Sequence, residues 1–122
     1  MSYRKLTIYK AAVEVEIKIH DLSLQLPKYE MYELGSQIRR ASQSIRANIV
    51  EGHGRRIYKQ EYLRFLYFSY ASLLETKSHL EIINRLYPKL EINKLQSELY
   101  ELGGQLYRFI QSVRKNHKTT SI

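Results

Sequence analysis

The sequence contains no cysteine, which excludes disulfides, thiolate chemistry and cysteine-based zinc sites. No apolar run comes near the roughly 18 residues of a membrane-spanning helix. The N-terminal stretch MSYRKLTIYK lacks the apolar segment of a signal peptide. A soluble, cytoplasmic protein with no membrane partner is therefore expected. Proline occurs only at positions 27 and 88, so little interrupts a helix between them. No glycine-rich phosphate loop follows a strand, and no Ser/His/Asp arrangement can be assembled. Internal repeats and low-complexity tracts are absent too.

Helical periodicity dominates what is present. Over the last segment Ile92, Leu95, Leu99, Leu102, Leu106, Phe109 or Ile110, and Val113 step by three and four, the mark of one apolar stripe on a long helix. A third segment carries Leu63, Leu66, Tyr70, Leu73, Leu80 and Ile83 until Pro88 stops it. In the second, Leu34, Ile38, Ala41, Ile45 and Ile49 form a narrower stripe ended by Gly52 and Gly54. The first is ambiguous, because VEVEIKI (13–19) alternates as a half-buried strand would. Ile8, Ala12, Val15, Ile19, Leu22 and Leu26 nevertheless keep helical spacing over a window too long for a strand. With 122 residues and 43% hydrophobic content, one domain with one modest core is expected. The predicted architecture is all-α, an up-down-up-down four-helix bundle over 1–122. Its helices fall at about 6–26, 31–52, 59–86 and 91–115, with a basic tail at 114–122.

Twenty Lys and Arg face twelve Asp and Glu, a net charge of +8. Between Gln37 and Arg64 there are seven bases (Arg39, Arg40, Arg46, Arg55, Arg56, Lys59, Arg64) against Glu51 and Glu61, and the tail adds Arg114, Lys115 and Lys118. The rest of the chain balances. In an up-down-up-down bundle the EGHGRR turn, the C-terminal tail and Arg4–Lys5 share one end. The surplus then becomes a positive pole able to attract a polyanion, with Arg46, Arg55, Arg56, Lys59, Arg114, Lys115 and Lys118 as candidate nucleic-acid contacts. The alternative is that these bases decorate solvated helix faces or complement helix C-termini. Tyr58, Tyr62, Tyr67 and Tyr70 could stack on unpaired bases, although tyrosines on helices are more often half-buried.

Little catalytic or metal chemistry can be built. A di-metal bundle needs inward Glu-x-x-His pairs, whereas Glu16 and His20, and Glu75 and His79, are four apart. No cofactor or metal is expected. Arg46 and His53, six residues between them, weakly resemble the Arg–His pair of metal-independent HEPN-class ribonucleases. The competing reading of His53 is a solvent-exposed turn histidine.

QIRRASQSIRANIVEGHGR (37–55) with YLRFLYFSYASLLET (62–76) resembles the four-helix-bundle family named for the intervening-sequence protein of 23S ribosomal RNA. Matching positions are Gln37, Ile38, Arg39, Arg40, Ala41, Ser44, Ile45, Asn48, Ile49, Glu51, Gly52, Gly54 and Arg55, then Arg64, Phe65, Leu66, Ser72, Leu73 and Glu75. The early LTIYKAAVEV and LPKYEMYEL also fit, extending the likeness from residue 6 to about 113. Arg46 and His53 depart from it, standing where proline and an aromatic or apolar residue are common. The resemblance implies a protomer that assembles into a homopentamer, and it implies little chemistry. Relatives are encoded in intervening sequences of bacterial rRNA genes. Others look like basic accessory proteins of diversity-generating retroelements, which bind nucleic acid and a reverse transcriptase.

Three expectations follow from the motif positions. Arg40 and Glu75 should pair inside the bundle, because a buried charge without a partner is costly. Ala41, Ser42, Ser44, Ala47 and Asn48 should thin one side of the second helix for close packing, with Asn48 and Glu51 fixing the turn by hydrogen bonds. The aromatics Phe65, Tyr67, Phe68 and Tyr70 exceed what one core can bury and should mark an oligomer interface. The leading functional expectation is a non-enzymatic, oligomeric nucleic-acid-binding or assembly protein, with RNA the favoured ligand. The alternatives are an accessory subunit for a protein such as a reverse transcriptase, and a ribonuclease using Arg46 and His53.

Overall fold

The computed structural model describes residues 2–117. A 3₁₀ turn, Tyr3–Lys5, leads into α1 (Thr7–Ser23). A single helical turn α2 (Lys28–Met31) precedes α3 (Leu34–Gly54), α4 (Lys59–Leu86) and α5 (Asn93–Asn116). The four long helices form an all-α bundle, and no strand occurs among the described residues. VEVEIKI lies wholly within α1.

Side-chain pairings fix the topology. Glu16 meets Arg46 and Ser23 meets Arg39, so α1 and α3 run antiparallel. Ser69 donates to the Ile45 carbonyl at 2.7 Å while Gly52 packs on Tyr62, which makes α3 and α4 antiparallel. Lys59 reaches the Arg114 carbonyl at 2.6 Å and Leu73 lies against Gly103, so α5 descends beside α4. Lys18 and Glu98 close the ring between α1 and α5. This is up-down-up-down order.

The core follows the apolar stripes. Ile8, Ala12, Val15, Ile19 and Leu22 of α1 meet Ile38, Ile45 and Ile49 of α3, Leu66, Leu73, Leu80 and Ile83 of α4, and Leu99, Leu102 and Leu106 of α5. At the Phe109/Ile110 position it is Ile110 that is buried, and Phe109 packs at the edge. The expected helix over 31–52 is divided instead. Pro27 opens the one-turn α2, and α3 begins only at Leu34.

α3 ends on Gly54, one of the two glycines expected to stop it, and runs straight through the other. Gly52 lies within the helix, no described glycine has a positive φ, and Arg55 is the C-cap at φ −107°. The reason for Gly52 is close packing. A Cβ there would meet Phe65 Cβ at 3.2 Å and the Tyr62 carbonyl at 3.4 Å. Of the small residues, Ala41 and Ser42 are buried and Ser44 and Asn48 half-buried, but Ala47 faces outward. Asn48 does not fix the turn. Its Nδ2 donates at 2.8 Å to the Ser44 carbonyl of its own helix, one turn back. Glu51 does not hydrogen-bond the turn either; it approaches Arg55 as an ion pair at 3.9 Å, too long for the expected hydrogen bond.

The expected Arg40–Glu75 pair does not form. Both side chains are exposed, and Glu75 lies 3.8 Å from His79 on its own helix. Helical phase explains this. Arg40 sits one residue, or 100°, before the buried Ala41, and Glu75 one residue before the buried Thr76. Arg40→Ala is therefore expected to shift stability by less than about 0.5 kcal/mol, the surface range. Urea denaturation checks this, and a loss several times larger would restore a buried role.

Candidate nucleic-acid interface

Antiparallel order brings four chain segments to one end of the bundle: the 3₁₀ turn, the end of α3, the start of α4 and the end of α5. His53 of α3 is buried there, 6.3 Å centre to centre from the Tyr3 ring. Tyr62 of α4 is buried beside it and meets the His117 ring at 5.2 Å. Burial pushes the Tyr62 hydroxyl above its usual pKa, partly opposed by the nearby Arg56 charge. His117 Nε2 and the Arg56 carbonyl lie 2.7 Å apart, joining the α3–α4 turn to the end of α5.

Around this plug sit the bases. Arg56 Nη1 donates to the His53 carbonyl at 2.8 Å, and Lys59 Nζ donates to the Arg114 carbonyl. Each satisfies a carbonyl at a helix C-terminus, where positive charge is favourable. Arg55 is shared between Glu61 at 3.2 Å and Glu51 at 3.9 Å. Its guanidinium also lies 4.7 Å from the Phe65 ring centre. Arg64 reaches Glu61 at 3.6 Å and lies 5.4 Å from the Phe68 ring. Phe65 and Phe68 meet edge to face at 5.4 Å, so arginines and aromatics alternate along this side. Lys59, Arg64, Tyr67 and Arg114 line an open groove of about 520 Å³. Lys115 is exposed in the last turn of α5.

Of the seven expected contacts, Arg55, Arg56, Lys59, Arg114 and Lys115 therefore lie at one end. Arg46 does not join them. It lies eight residues before Gly54, about 12 Å along the helix. Its Nε and Nη2 donate to the two carboxylate oxygens of Glu16, at 2.5 and 3.3 Å. That hydrogen bond also raises the Arg46 pKa above the usual arginine value, against a smaller opposing effect of burial. Lys118 lies outside the described residues. Arg64, counted in the basic surplus of the sequence but not among the seven expected contacts, also lies at this end, lining the groove with Lys59 and Arg114. Its signal was the spacing, since Lys59 and Arg64 flank Glu61 within the first two turns of α4.

The Arg46–His53 pair is not assembled either. The two residues are seven apart on one helix, about 10.5 Å along its axis. Arg46 is held by Glu16, and His53 is buried rather than exposed in a turn. Among the described residues no group of three or more His, Asp or Glu is placed to hold a metal ion. No helix there is long and apolar enough to cross a membrane.

The other end of the bundle closes on a polar latch. Tyr87 OH donates to Glu30 Oε2 at 2.8 Å with Tyr29 OH 3.5 Å away; the Tyr29 contact first, and the Glu30 carboxylate with it, raise the Tyr87 pKa. The outer face of α4 and α5 mixes exposed charges, such as Glu75, Arg85, Glu101 and Arg108, with exposed apolar side chains. Tyr67, Phe68, Leu74, Ile82 and Leu86 are exposed on α4, and Tyr100 and Tyr107 on α5. Leu74, Tyr100 and Tyr107 rim a groove of about 320 Å³ at Gly103 and Gly104.

Residues 4–108 match the family model described as 23S rRNA-intervening sequence protein. No curated protein matches the sequence. Among solved structures, the chain is similar to a protein with unknown function from the S23 ribosomal protein family of Bacteroides thetaiotaomicron VPI-5482. The two share 20% identity and a TM-score of 0.77, over 85% of this chain and 95% of that one. At that identity the likeness speaks for the fold.

Proposed function

Because this chain belongs to the 23S rRNA-intervening sequence protein family, we propose that it is a non-enzymatic, oligomeric nucleic-acid-binding or assembly protein that takes RNA. The observation carrying this reading is the gathering of Arg55, Arg56, Lys59, Arg64, Arg114 and Lys115 at one bundle end, against Glu51 and Glu61 among the described residues. Opposed like this, six bases leave an excess positive charge where three helix ends meet. Phosphates attract such a surface without regard to sequence. The alternating arginines and phenylalanines offer planes on which unpaired bases can stack. RNA is preferred to DNA on the family's description.

The competing account is that Arg56 and Lys59 serve only to cap helix carbonyls. A capping arginine or lysine still keeps donors for a phosphate, so the two accounts separate by binding alone. In filter binding at about 50 mM salt, single-stranded RNA should be retained. With about five phosphate contacts, its affinity should fall with salt at a log–log slope near −3.5. If neither RNA nor single-stranded DNA binds, the reading fails and a protein partner, such as a reverse transcriptase, takes its place.

The outer face of α4 and α5 supports self-association. Exposed apolar side chains grouped on one side of a protein often mark an interface, and α4 and α5 carry Tyr67, Phe68, Leu74, Ile82, Leu86, Tyr100 and Tyr107 exposed. A second copy is the proposed occupant, and the family resemblance suggests a ring of five. An oligomer would repeat the basic end around its axis, so that the fields of neighbouring protomers add. Light scattering at micromolar concentration should give a multiple of the 14.6 kDa chain mass. A monomer mass would overturn the proposal.

A further inference from the structure

A second basic site lies between α1 and α3, away from the pole. Arg40 is fourteen residues before Gly54, about 21 Å along α3. There a cavity of about 380 Å³ is lined by Glu16 and His20 of α1 and by Ser36, Arg39, Arg40 and Gln43 of α3. That volume falls in the range of small-ligand sites.

Its charge is arranged for an anion. The one carboxylate on the wall, Glu16, is already neutralised by Arg46. Arg39 is held without a carboxylate: Nη1 donates to Ser23 Oγ at 2.8 Å and Nη2 to the Met31 carbonyl at 3.1 Å. Gly35 makes room for this, since a Cβ there would stand 3.1 Å from Arg39 Nη1. The Arg39 guanidinium is thus held in place by neutral acceptors, one N–H of each terminal nitrogen engaged, so its positive charge is fixed beside the cavity before any ligand arrives. Arg40 takes part in no ion pair among the described residues. The cavity therefore offers two guanidinium groups uncompensated by carboxylate, with neutral donors from Ser36 and Gln43 beside them. Arginine forks in this setting suit a tetrahedral oxyanion with several acceptor oxygens.

We infer that the α1–α3 cavity is a phosphate-binding site, taking inorganic phosphate or the terminal phosphate of a nucleotide. The two positive charges match a dianion, which a phosphate monoester is and a backbone diester is not. The site stands independently of RNA binding at the pole.

The test is a titration of the ¹⁵N-labelled full chain with inorganic phosphate, adenosine 5′-monophosphate and adenosine. Both phosphate-bearing probes should shift the amides of Ser36, Arg40 and Gln43, and adenosine should leave them in place. Tighter binding of the nucleotide than of inorganic phosphate would identify a nucleotide as the source. Equal binding would identify the free ion, and either result supports the site. Arg40→Ala should weaken binding by about ten- to a hundredfold, as expected for losing charge-assisted hydrogen bonds. Its thermal melting should match the wild type, since the side chain is exposed. The inference is overturned if neither phosphate probe shifts these amides, if adenosine shifts them equally, or if Arg40→Ala binds as tightly as the wild type.

Discussion

Replacing Gly52 by leucine should destabilise the bundle by about 1–3 kcal/mol, the usual cost of overpacking. Gly52 is buried against α4, and the space beside its Cα is already filled by Phe65 and Tyr62. The contact at 3.2 Å is with a Cβ, which moves only with its backbone. Four added carbons must therefore push the helices apart or force Tyr62 off its packing. Gly54 is the internal comparison. It sits in the same last turn of α3 with nothing within 4 Å of a built Cβ, and its φ is not positive. Gly54→Ala should be neutral or stabilising by up to about 1 kcal/mol, the helix-propensity gain. Urea denaturation of the two variants side by side gives the answer. A Gly52→Leu protein as stable as the wild type would mean that α3 and α4 do not approach as described.

The contrast between these glycines shows what periodicity could and could not reveal. α5 was legible because its buried residues are all leucine, isoleucine or valine at helical spacing. The α3 seam was harder. It buries Ser42, Gly52 and His53 beside its isoleucines, and hydrophobic patterning passes over small and polar residues. Gly52 looked like a terminator because glycine commonly ends helices, although its use here is close approach. Arg40 and Glu75 were misjudged for another reason. Membership in a shared motif said nothing of direction, whereas helical phase already put both off the buried stripe. The basic end was legible from topology, since alternating helices return the α3–α4 turn and the end of α5 to one place. Arg46 was assigned to it by sequence proximity, and the 12 Å of helix between it and the turn decides otherwise. Its partner Glu16 lies thirty residues away on α1, a distance that no local pattern spans.

If the basic end binds RNA as proposed, reversing Arg55 and Arg56 to glutamate together should abolish that binding. Each reversal removes one attractive charge and adds a repulsive one, a change of four charges per chain. New carboxylates would stand beside Glu51 and Glu61, which Arg55 now holds at 3.9 and 3.2 Å. The local field would then turn from net positive to near neutral or negative, and steering of a polyanion disappears with it. The fold should survive, because Arg55 is exposed and Arg56 contributes one capping hydrogen bond to His53. Circular dichroism and light scattering on the same sample keep loss of binding distinct from loss of structure. A milder pair, Arg55→Ala with Arg56→Ala, removes contacts without adding repulsion. With about two of five phosphate contacts gone, the salt slope should flatten from near −3.5 to about −2.1. If the bases serve only helix carbonyls, neither pair changes RNA retention. A folded, oligomeric double reversal that still retains RNA at low salt would remove this end of the bundle from the binding surface.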